Sequence, residues 1–292
     1  MAEIPLLGLE IPAFGALAAL RVATLGATRI ELNALGSYGE GGLTPSLEDL
    51  KQFIFASAQR CPLRIMIRPR GLASSPAEAG GLSKRDFHYN AEEFDIMEAG
   101  IKEFKGLGLL DANKGDGFVF GILEEDELEE ELEEELEEYE GHIRRQRCRV
   151  DKARCTRLVQ TARPFKCVFH RAFDEIVSCD TPALDEPTRP SWETGLEDLA
   201  ACGFDGILTS GGLGKAIDNI EMLEKIIQKA QALHIETVVG GGVRTANIGE
   251  ITQRLGLWMR ANSVYLHSAC LRGNGSEDIS PEEVQGILAQ LG

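Results

Sequence analysis

The chain lacks the features that direct a protein into a membrane, out of the cell or onto nucleic acid. None of its apolar runs approaches the roughly 18 residues that a membrane-spanning helix needs. Its first 25 residues contain no basic segment leading into an apolar one, so no secretory signal is expected. No clustered basic face is visible either, and such a face is what nucleic-acid binding requires. We therefore expect binding to neither membranes nor nucleic acid.

Cysteines are few and scattered. The seven form no C-x-x-C motif, and an odd, dispersed set is typical of reduced thiols in the cytosol rather than of a disulfide framework. The predicted location is therefore cytoplasmic. The cysteines lie at positions 61, 148, 155, 167, 179, 202 and 270.

Basic residues are outnumbered, because 30 Lys and Arg stand against 47 Asp and Glu, for a formal charge of −17. One run, 124–140, holds 13 acids and no base, and without it the charge is −4. We predict that Glu125–Arg147 is a low-complexity insertion, either a solvated charged helix or a disordered arm. The alternative is an acidic arm that captures cations or a basic partner. The run has no Asp-x-Asp calcium loop, so specific metal binding is not expected there.

The remainder alternates short apolar strands with amphipathic helices in eight units, which is typical of a closed parallel barrel. No G-x-G-x-x-G motif follows the first strand, as it would in a dinucleotide-binding sheet. The predicted fold is α/β, one (β/α)8 TIM barrel over residues 1–292, with insertions at 125–147 and at 178–190. The second insertion is proline-rich and a candidate lid. The predicted strands are Leu6–Ile11, Thr28–Leu32, Leu63–Ile67, Gly117–Leu123, Lys166–His170, Asp205–Thr209, Ile235–Val239 and Ser263–Leu266.

Polar residues follow these strands at one end, where the site of a (β/α)8 barrel lies. Acids, arginines and histidines gathered there are able to bind a small anionic molecule and to move protons. The predicted catalytic residues are Glu10, Glu31, His170 and Asp174. The predicted anion-binding residues are Arg68, Arg70, Arg171, Thr209, Ser210, Gly241, Gly242, His267 and Ser268.

Some of these residues also fit structural roles. Arg29 and Glu31 lie on one face of a strand, and a structural ion pair is as well supported as a site role. His170 is either a hydrogen-bonded core histidine or an acid or base, and the arginine and aspartate that follow it favour the second role. The glycines at 240–242 expose backbone N–H groups as phosphate-binding loops do, or only let strand and helix approach closely.

Nine segments together resemble the CutC copper-homeostasis family. They occur in order over nearly the whole chain, with the acidic run and the proline-rich loop between them. The resemblance implies a (β/α)8 barrel, an intracellular location, homo-oligomers and a link to copper tolerance. It leaves open whether a reaction is catalysed. The segments are Arg29–Leu32, Glu40–Ser46, Met66–Gly71, Phe87–Tyr89 with Glu92 and Glu93, Gly117–Gly121, Phe169–Asp174, Leu208–Gly211, Gly240–Val243 and His267–Ser268.

The resemblance also implies a pair of copper-binding cysteines, each two positions beyond a glutamate of strand one or strand two. Those positions hold Pro12 and Asn33 in this chain, and neither offers the sulfur ligand that Cu(I) prefers. Copper as a cofactor therefore rests on the resemblance alone, and no metal ligand is assigned.

Three functions are consistent with the sequence. The first is copper homeostasis, as the family implies. The second is a barrel enzyme that acts on a phosphorylated or carboxylated small molecule by acid–base chemistry. The third is a non-catalytic binding module that uses the acidic insertion.

Overall fold

Eight parallel strands form a closed barrel in the computed structural model of the chain. The structure describes residues 7–57, 61–71, 85–125, 148–179, 189–261, 263–273 and 276–292. The barrel strands are β1 (Gly8–Phe14), β2 (Arg29–Asn33), β3 (Leu63–Met66), β4 (Gly117–Phe120), β7 (Lys166–Phe169), β8 (Gly206–Thr209), β9 (Glu236–Val239) and β10 (Val264–His267). Successive barrel strands are neighbours, and β1 closes the barrel against β10. The predicted (β/α)8 fold is confirmed.

Helices cover the outside of the barrel, and local sequence fixes several of their starts. Ser46 and Asn90 each form a capping box with the acid three residues later, and Pro281 occupies a first helical position, where its missing N–H costs nothing. No helix in the described ranges is long and apolar enough to cross a membrane. The α-helices are α1 (Ala16–Leu25), α2 (Leu47–Ala56), α3 (Ala91–Gly106), α4 (Lys152–Ala162), α5 (Ala172–Val177), α6 (Ser191–Cys202), α7 (Ile220–Ala232), α8 (Ile248–Arg254) and α9 (Pro281–Leu291), and short 3-10 turns lie at Tyr38–Glu40, Ala112–Lys114, Ala216–Asn219 and Leu257–Arg260.

The structure differs from the predicted elements in three places. β1 continues past Pro12, which stays in register with Glu31, so the proline does not end the strand although it lacks a backbone donor. The short helix α5 follows β7 directly, where only a strand end was predicted. A two-stranded antiparallel sheet of β5 (Leu123–Glu125) and β6 (Cys148–Val150) flanks the acidic run.

Most of the two predicted insertions lies outside the described residues. This applies to 126–147 of the acidic run and to 180–188 of the proline-rich loop. Their predicted helical, disordered or lid-like character therefore stays a prediction. The structure does show where each begins and ends, and the acidic run leaves β5 and returns through the adjacent β6.

Alternate strand residues fill the barrel interior, as the two-residue period of a strand requires. A central apolar layer consists of Met66, Val119, Val168, Leu208 and Val238. Below it the guanidinium of Arg29 lies 3.7 Å from the centre of the Tyr265 ring and donates to Glu236 at 2.7 Å. Gly8 leaves room for that ring, because a Cβ on Gly8 would lie 2.3 Å from Tyr265.

We predict that Gly8→Ala destabilises the barrel by about 1–3 kcal/mol, since the added methyl group overpacks the layer that holds Tyr265. Urea denaturation followed by circular dichroism measures the loss. Gly106→Ala is the matched control, because nothing lies within 4 Å of a Cβ at that helical position, and it should leave the free energy of unfolding unchanged or slightly raised. Equal effects of the two substitutions would contradict the packing argument.

Candidate functional site

A cavity of about 430 Å³ opens at the carboxyl-terminal ends of the strands. Four predicted site residues do not line it, namely Glu10, Arg70, Thr209 and Ser210. A second cavity, of about 470 Å³, lies at the opposite end among strand starts such as Lys166 and Glu236. We place the site in the first cavity, because barrel enzymes act at the carboxyl-terminal face. The predicted site residues that line it are Glu31, Arg68, His170, Arg171, Asp174, Gly241, Gly242, His267 and Ser268.

A chain of buried charges runs under this cavity. Arg29 donates through Nε to one oxygen of Glu10, and the other oxygen of Glu10 lies 2.8 Å from Nδ1 of His267. Burial alone would raise the pKa of Glu10, but Arg29 and His267 outweigh it and lower that pKa to about 2. Burial likewise opposes the charge on His267, yet the glutamates beside it raise its pKa above the ordinary value. Of the two roles considered for Arg29 and Glu31, the structural ion pair between them is not formed, since Arg29 pairs with Glu10 and Glu236 instead.

Glu10 was expected at the end of its strand and lies inside the barrel. It is the third residue of β1, in register with Arg29 and His267, because the strand continues through Phe14. Both of its oxygens are bonded. The contacts make Glu10 a residue that orients and charges His267, one step away from the cavity.

Glu31 has the opposite electrostatic setting. Burial raises its pKa and the charge of Glu10 adds to that effect, and together they outweigh the lowering by His267, Asn33 and Arg29. One oxygen accepts from Nδ2 of Asn33 at 3.0 Å. The other, Oε2, is buried with no hydrogen-bond partner among the described residues. Glu31 is thus an acid whose charged form is disfavoured and whose oxygen is available to a ligand.

Glu10, Glu31 and His267 are also the one group of three or more potential metal ligands in the described part of the chain, with donor atoms within 4.8 Å of one another. Their oxygen and nitrogen atoms suit a divalent cation better than Cu(I). A metal ion bound there would have to displace Arg29 or His267 from Glu10. Asn33 meanwhile donates to Glu31, and Pro12 supplies no ligand, so the positions implied by resemblance do not fit Cu(I).

His170 is a neutral hydrogen-bond donor facing the cavity. Its Nδ1 accepts the N–H of Ala172 at 3.3 Å, which places the proton of the neutral ring on Nε2. Burial and the nearby Arg68 lower its pKa to about 3, so the ring is uncharged near neutrality. Nε2 is buried without a described partner, and the Phe87 ring packs 4.7 Å away. This geometry assigns His170 a donor role in place of the predicted proton exchange.

Asp174 organises the loops after β7 and β8. Its carboxylate accepts the hydroxyls of Thr209 at 2.6 Å and Ser210 at 2.7 Å, the backbone N–H of Ser210 and Gly212, and Nε of Arg171 at 2.9 Å. Its acceptor positions are therefore occupied. The same bonds use the hydroxyl protons of Thr209 and Ser210, so these three residues shape the rim.

Two predicted anion-binding arginines serve the structure of the rim. Arg68 donates to both oxygens of Asp86, at 3.0 and 2.8 Å, and to the carbonyl of Gly42. Arg70 donates to Glu93 at 2.6 Å and to the carbonyl of His88 at 2.6 Å. Their guanidinium groups are paired before any ligand arrives, and they fasten the loop after β3 to its neighbours.

Arg244 lines the cavity and was missed by sequence reasoning. Its guanidinium makes one long contact, 3.5 Å to the carbonyl of Leu271. The backbone N–H groups of Gly241, Gly242 and Val243 just before it have no acceptor within the described ranges, and both glycines have positive φ. The sequence signal was the run Gly-Gly-Gly-Val-Arg after a strand, which places a cation beside exposed N–H groups. This segment, 241–244, is called the β9 loop below.

The sequence profile of the CutC family matches residues 10–139 and 141–266. The chain belongs to the CutC family. Its relatives include the copper homeostasis protein cutC homolog of Homo sapiens, 31% identical over 79% of this chain, and a CutC family protein of Proteus mirabilis, 34% identical over 82% of this chain and 72% of its own length. The match spans 63% of the human relative, just under two thirds.

A solved CutC structure has the same fold. The copper homeostasis protein CutC from Streptococcus agalactiae matches with a TM-score of 0.60 and 23% identity, over 89% of this chain and 98% of that one. At this identity the likeness shows the fold alone. It agrees with the closed barrel, and the family match confirms the resemblance drawn from the strand-end motifs.

We predict opposite consequences for the two buried glutamates of this CutC barrel. Glu10→Gln should cost about 3 kcal/mol or more at neutral pH, because it removes an anion from a buried ion pair. Glu31→Gln should change stability by about 1 kcal/mol or less, since burial already disfavours the charge of Glu31. Denaturant unfolding of each variant measures both values, and equal losses would contradict the charge assignment.

The stabilising effect of Glu10 should also depend on pH. A carboxyl whose pKa falls on folding contributes stability that is present above its unfolded value, 4.5, and lost as the pH falls toward about 2. The difference between wild type and Glu10→Gln should therefore shrink over that window. A constant difference from pH 7 to pH 2 would show that Glu10 acts by packing instead.

The two cavity histidines should titrate far apart. We expect His267 to have a pKa above 6.5 and His170 to stay neutral, with its proton on Nε2, down to about pH 4. Nitrogen-15 NMR of the imidazoles measures both, with His267→Gln and His170→Gln assigning the resonances. In Glu10→Gln the pKa of His267 should fall while that of His170 stays unchanged. A charged His170 at pH 6 would contradict its donor role.

Proposed function

We propose that the cavity binds a small organic anion, phosphorylated or carboxylated, and transfers a proton to or from it. One observation carries the proposal. Three buried polar atoms without described partners, Oε2 of Glu31, Nε of Arg68 and Nε2 of His170, belong to residues lining the same cavity as the unoccupied N–H groups of the β9 loop. Unpaired buried polar atoms are costly, and a ligand that bonds these atoms and the N–H groups offsets that cost.

The roles follow from the charge states. Glu31, with its raised pKa, exchanges a proton near neutral pH more readily than an ordinary carboxylate does. When its carboxylate removes a proton from the ligand, negative charge moves to a ligand oxygen, which accepts the hydrogen bond of neutral His170. His267, whose pKa is raised, stabilises the carboxylate of Glu31 before transfer when its ring is protonated. Glu10 maintains that charge through its bond to Nδ1 of His267.

The anionic end of the ligand is expected at the β9 loop. Exposed backbone N–H groups and an arginine are the donors that barrel folds use for phosphate after their seventh strand. Glu40 and Glu175 line other parts of the mouth, on the loops after β2 and β7, and repel negative charge there. The ligand should therefore have its negative charge at one end.

A role in copper homeostasis is the second candidate, and it rests on the names of the human and mouse relatives. Copper binding, a cytoplasmic location and a homo-oligomer stay predictions for this chain. The barrel interior supports the anion site more directly, because its donors there are carboxylates and histidines rather than thiolates.

Anion binding predicts ligand-induced stabilisation that depends on Arg244. In a thermal-shift screen of phosphorylated and carboxylated metabolites, a ligand at 100 times its Kd should stabilise the chain by about 2.7 kcal/mol. Arg244→Ala should abolish the shift without unfolding the chain. Arg254→Ala is the matched control, an arginine paired only with the adjacent turn of α8, and should preserve the shift. A shift of the same size in Arg244→Ala would overturn the assignment.

Proton transfer is tested with the ligand that the screen identifies. In D₂O the wild-type protein should exchange one hydrogen of the ligand for deuterium. Proton NMR of the ligand measures the rate of this exchange. Glu31→Gln should slow the exchange by about 10²–10⁴-fold while the thermal shift persists. Glu250→Gln, on the outer helix α8, serves as control. If the wild type bound the ligand without exchanging a hydrogen, the protein would bind anions but would have no acid–base role.

A further inference from the structure

Two cysteine sulfurs touch outside the barrel cavity. Sγ of Cys148, the first residue of β6, lies 3.5 Å from Sγ of Cys179, just beyond α5. Both residues are buried, with 4% and 6% of their surfaces exposed. All seven cysteines lie in described ranges, and this is the only pair with sulfurs in contact. Neither residue lines the cavity of the proposed function.

The contacts with Cys148 favour a thiolate on Cys179. The side chain and the backbone N–H of Cys148 both reach its sulfur, the latter at 3.4 Å. The Cys179 thiol also donates to the backbone carbonyl of Glu175 at 3.2 Å, a bond that is lost when the thiol ionises. The hydrogen bond from Cys148 outweighs burial and lowers the pKa of Cys179 to about 7, while the pKa of Cys148 rises. The positive charge of Arg85 favours the thiolate form of both residues. The thiol of Cys179 therefore ionises readily, whereas the thiol of Cys148 stays protonated until a metal ion replaces its proton.

We propose that Cys148 and Cys179 form a Cu(I) site in which one ion is bound by both thiolates. Thiolates are the ligands that Cu(I) selects. A metal ion with metal–sulfur distances of about 2.3 Å reaches both sulfurs at their present separation, and moving the sulfurs apart by about 1 Å makes the arrangement linear.

The binding step balances without a further reactant. Two Cu–S bonds form, two S–H bonds break, both protons leave to solvent, and copper stays Cu(I). The bis-thiolate complex carries one negative charge, which the positive charge of Arg85 favours and the negative charge of Glu175 opposes.

The surroundings favour Cu(I) over a zinc ion. Structural zinc requires four ligands, whereas the described residues place no third His, Cys, Asp or Glu ligand atom at this pair. The pair also differs in place from positions 12 and 33, where family resemblance implies the ligands. The inference stands independently of the anion site, because it uses other residues and another part of the fold.

Cu(I) titration of the reduced full chain against a chromophoric Cu(I) chelator tests the proposal. We expect one Cu(I) retained per chain, and a loss of affinity of about 100-fold or more in Cys148→Ser and in Cys179→Ser. Cys167→Ser is the matched control, since Cys167 is equally buried but has no sulfur neighbour. Glu31→Gln, which removes one of the possible metal ligands inside the barrel, should retain copper, and this separates the thiol site from the barrel interior. Circular dichroism confirms that each variant is folded.

X-ray absorption of the copper-loaded wild type provides a test that needs no variant. Two sulfur neighbours at one distance are expected, and nitrogen or oxygen neighbours would overturn the site. No retained copper in the wild type, or unchanged retention in both serine variants, would also overturn it. A disulfide between the two cysteines would overturn the site as well. Mass spectrometry after copper treatment would reveal it as copper-free protein that is two hydrogens lighter than the reduced chain.

Discussion

The pairing of Arg29 with Glu10 inside the barrel shapes the electrostatics of His267 and Glu31 above it. A buried guanidinium needs an anion, and Glu10 supplies it with a pKa lowered to about 2. The second oxygen of Glu10 then holds Nδ1 of His267 and raises its pKa. Glu31 is left without an arginine of its own, so burial raises its pKa. The pKa values of two glutamates on neighbouring strands are therefore shifted in opposite directions, because Arg29 bonds only one of them and burial dominates at the other.

The groups at the mouth fall into two sets according to their hydrogen-bond partners. One set builds the mouth, and a ligand can reach the other. Arg70 and Asp174 have their hydrogen-bonding capacity filled by Glu93 and by the loop after β8. Glu31, His170 and the β9 loop have capacity to spare, as does Nε of Arg68 although that arginine is paired with Asp86. Charge at a strand end is thus a poor guide to ligand binding by itself, and an unfilled donor or acceptor is a better one.

The sequence predicted the barrel and most of the mouth because strand period and strand order are local properties. Glu31, His170 and His267 were placed in one cavity from their strand positions alone. The partners of Arg68 and Asp174 come from distant segments, so their structural roles were not visible in sequence. Glu10 was misplaced because β1 continues past Pro12. Arg244 was not predicted, because a lone arginine two residues beyond a glycine run is not a distinctive pattern in the sequence.

The chain belongs to the CutC family but lacks thiols at positions 12 and 33. These two facts are compatible if copper and the organic ligand use separate sites. If both were bound inside the barrel, copper would compete with the organic ligand for Glu31 and His267. The oxygen and nitrogen atoms of these residues are weak ligands for Cu(I). A thiol pair between β6 and α5 removes that competition, since neither Cys148 nor Cys179 lines the cavity. Their link to its rim is the bond that Cys179 donates to the backbone carbonyl of Glu175. The barrel interior is then free to keep its proton-transfer groups, whatever metal the chain handles outside it.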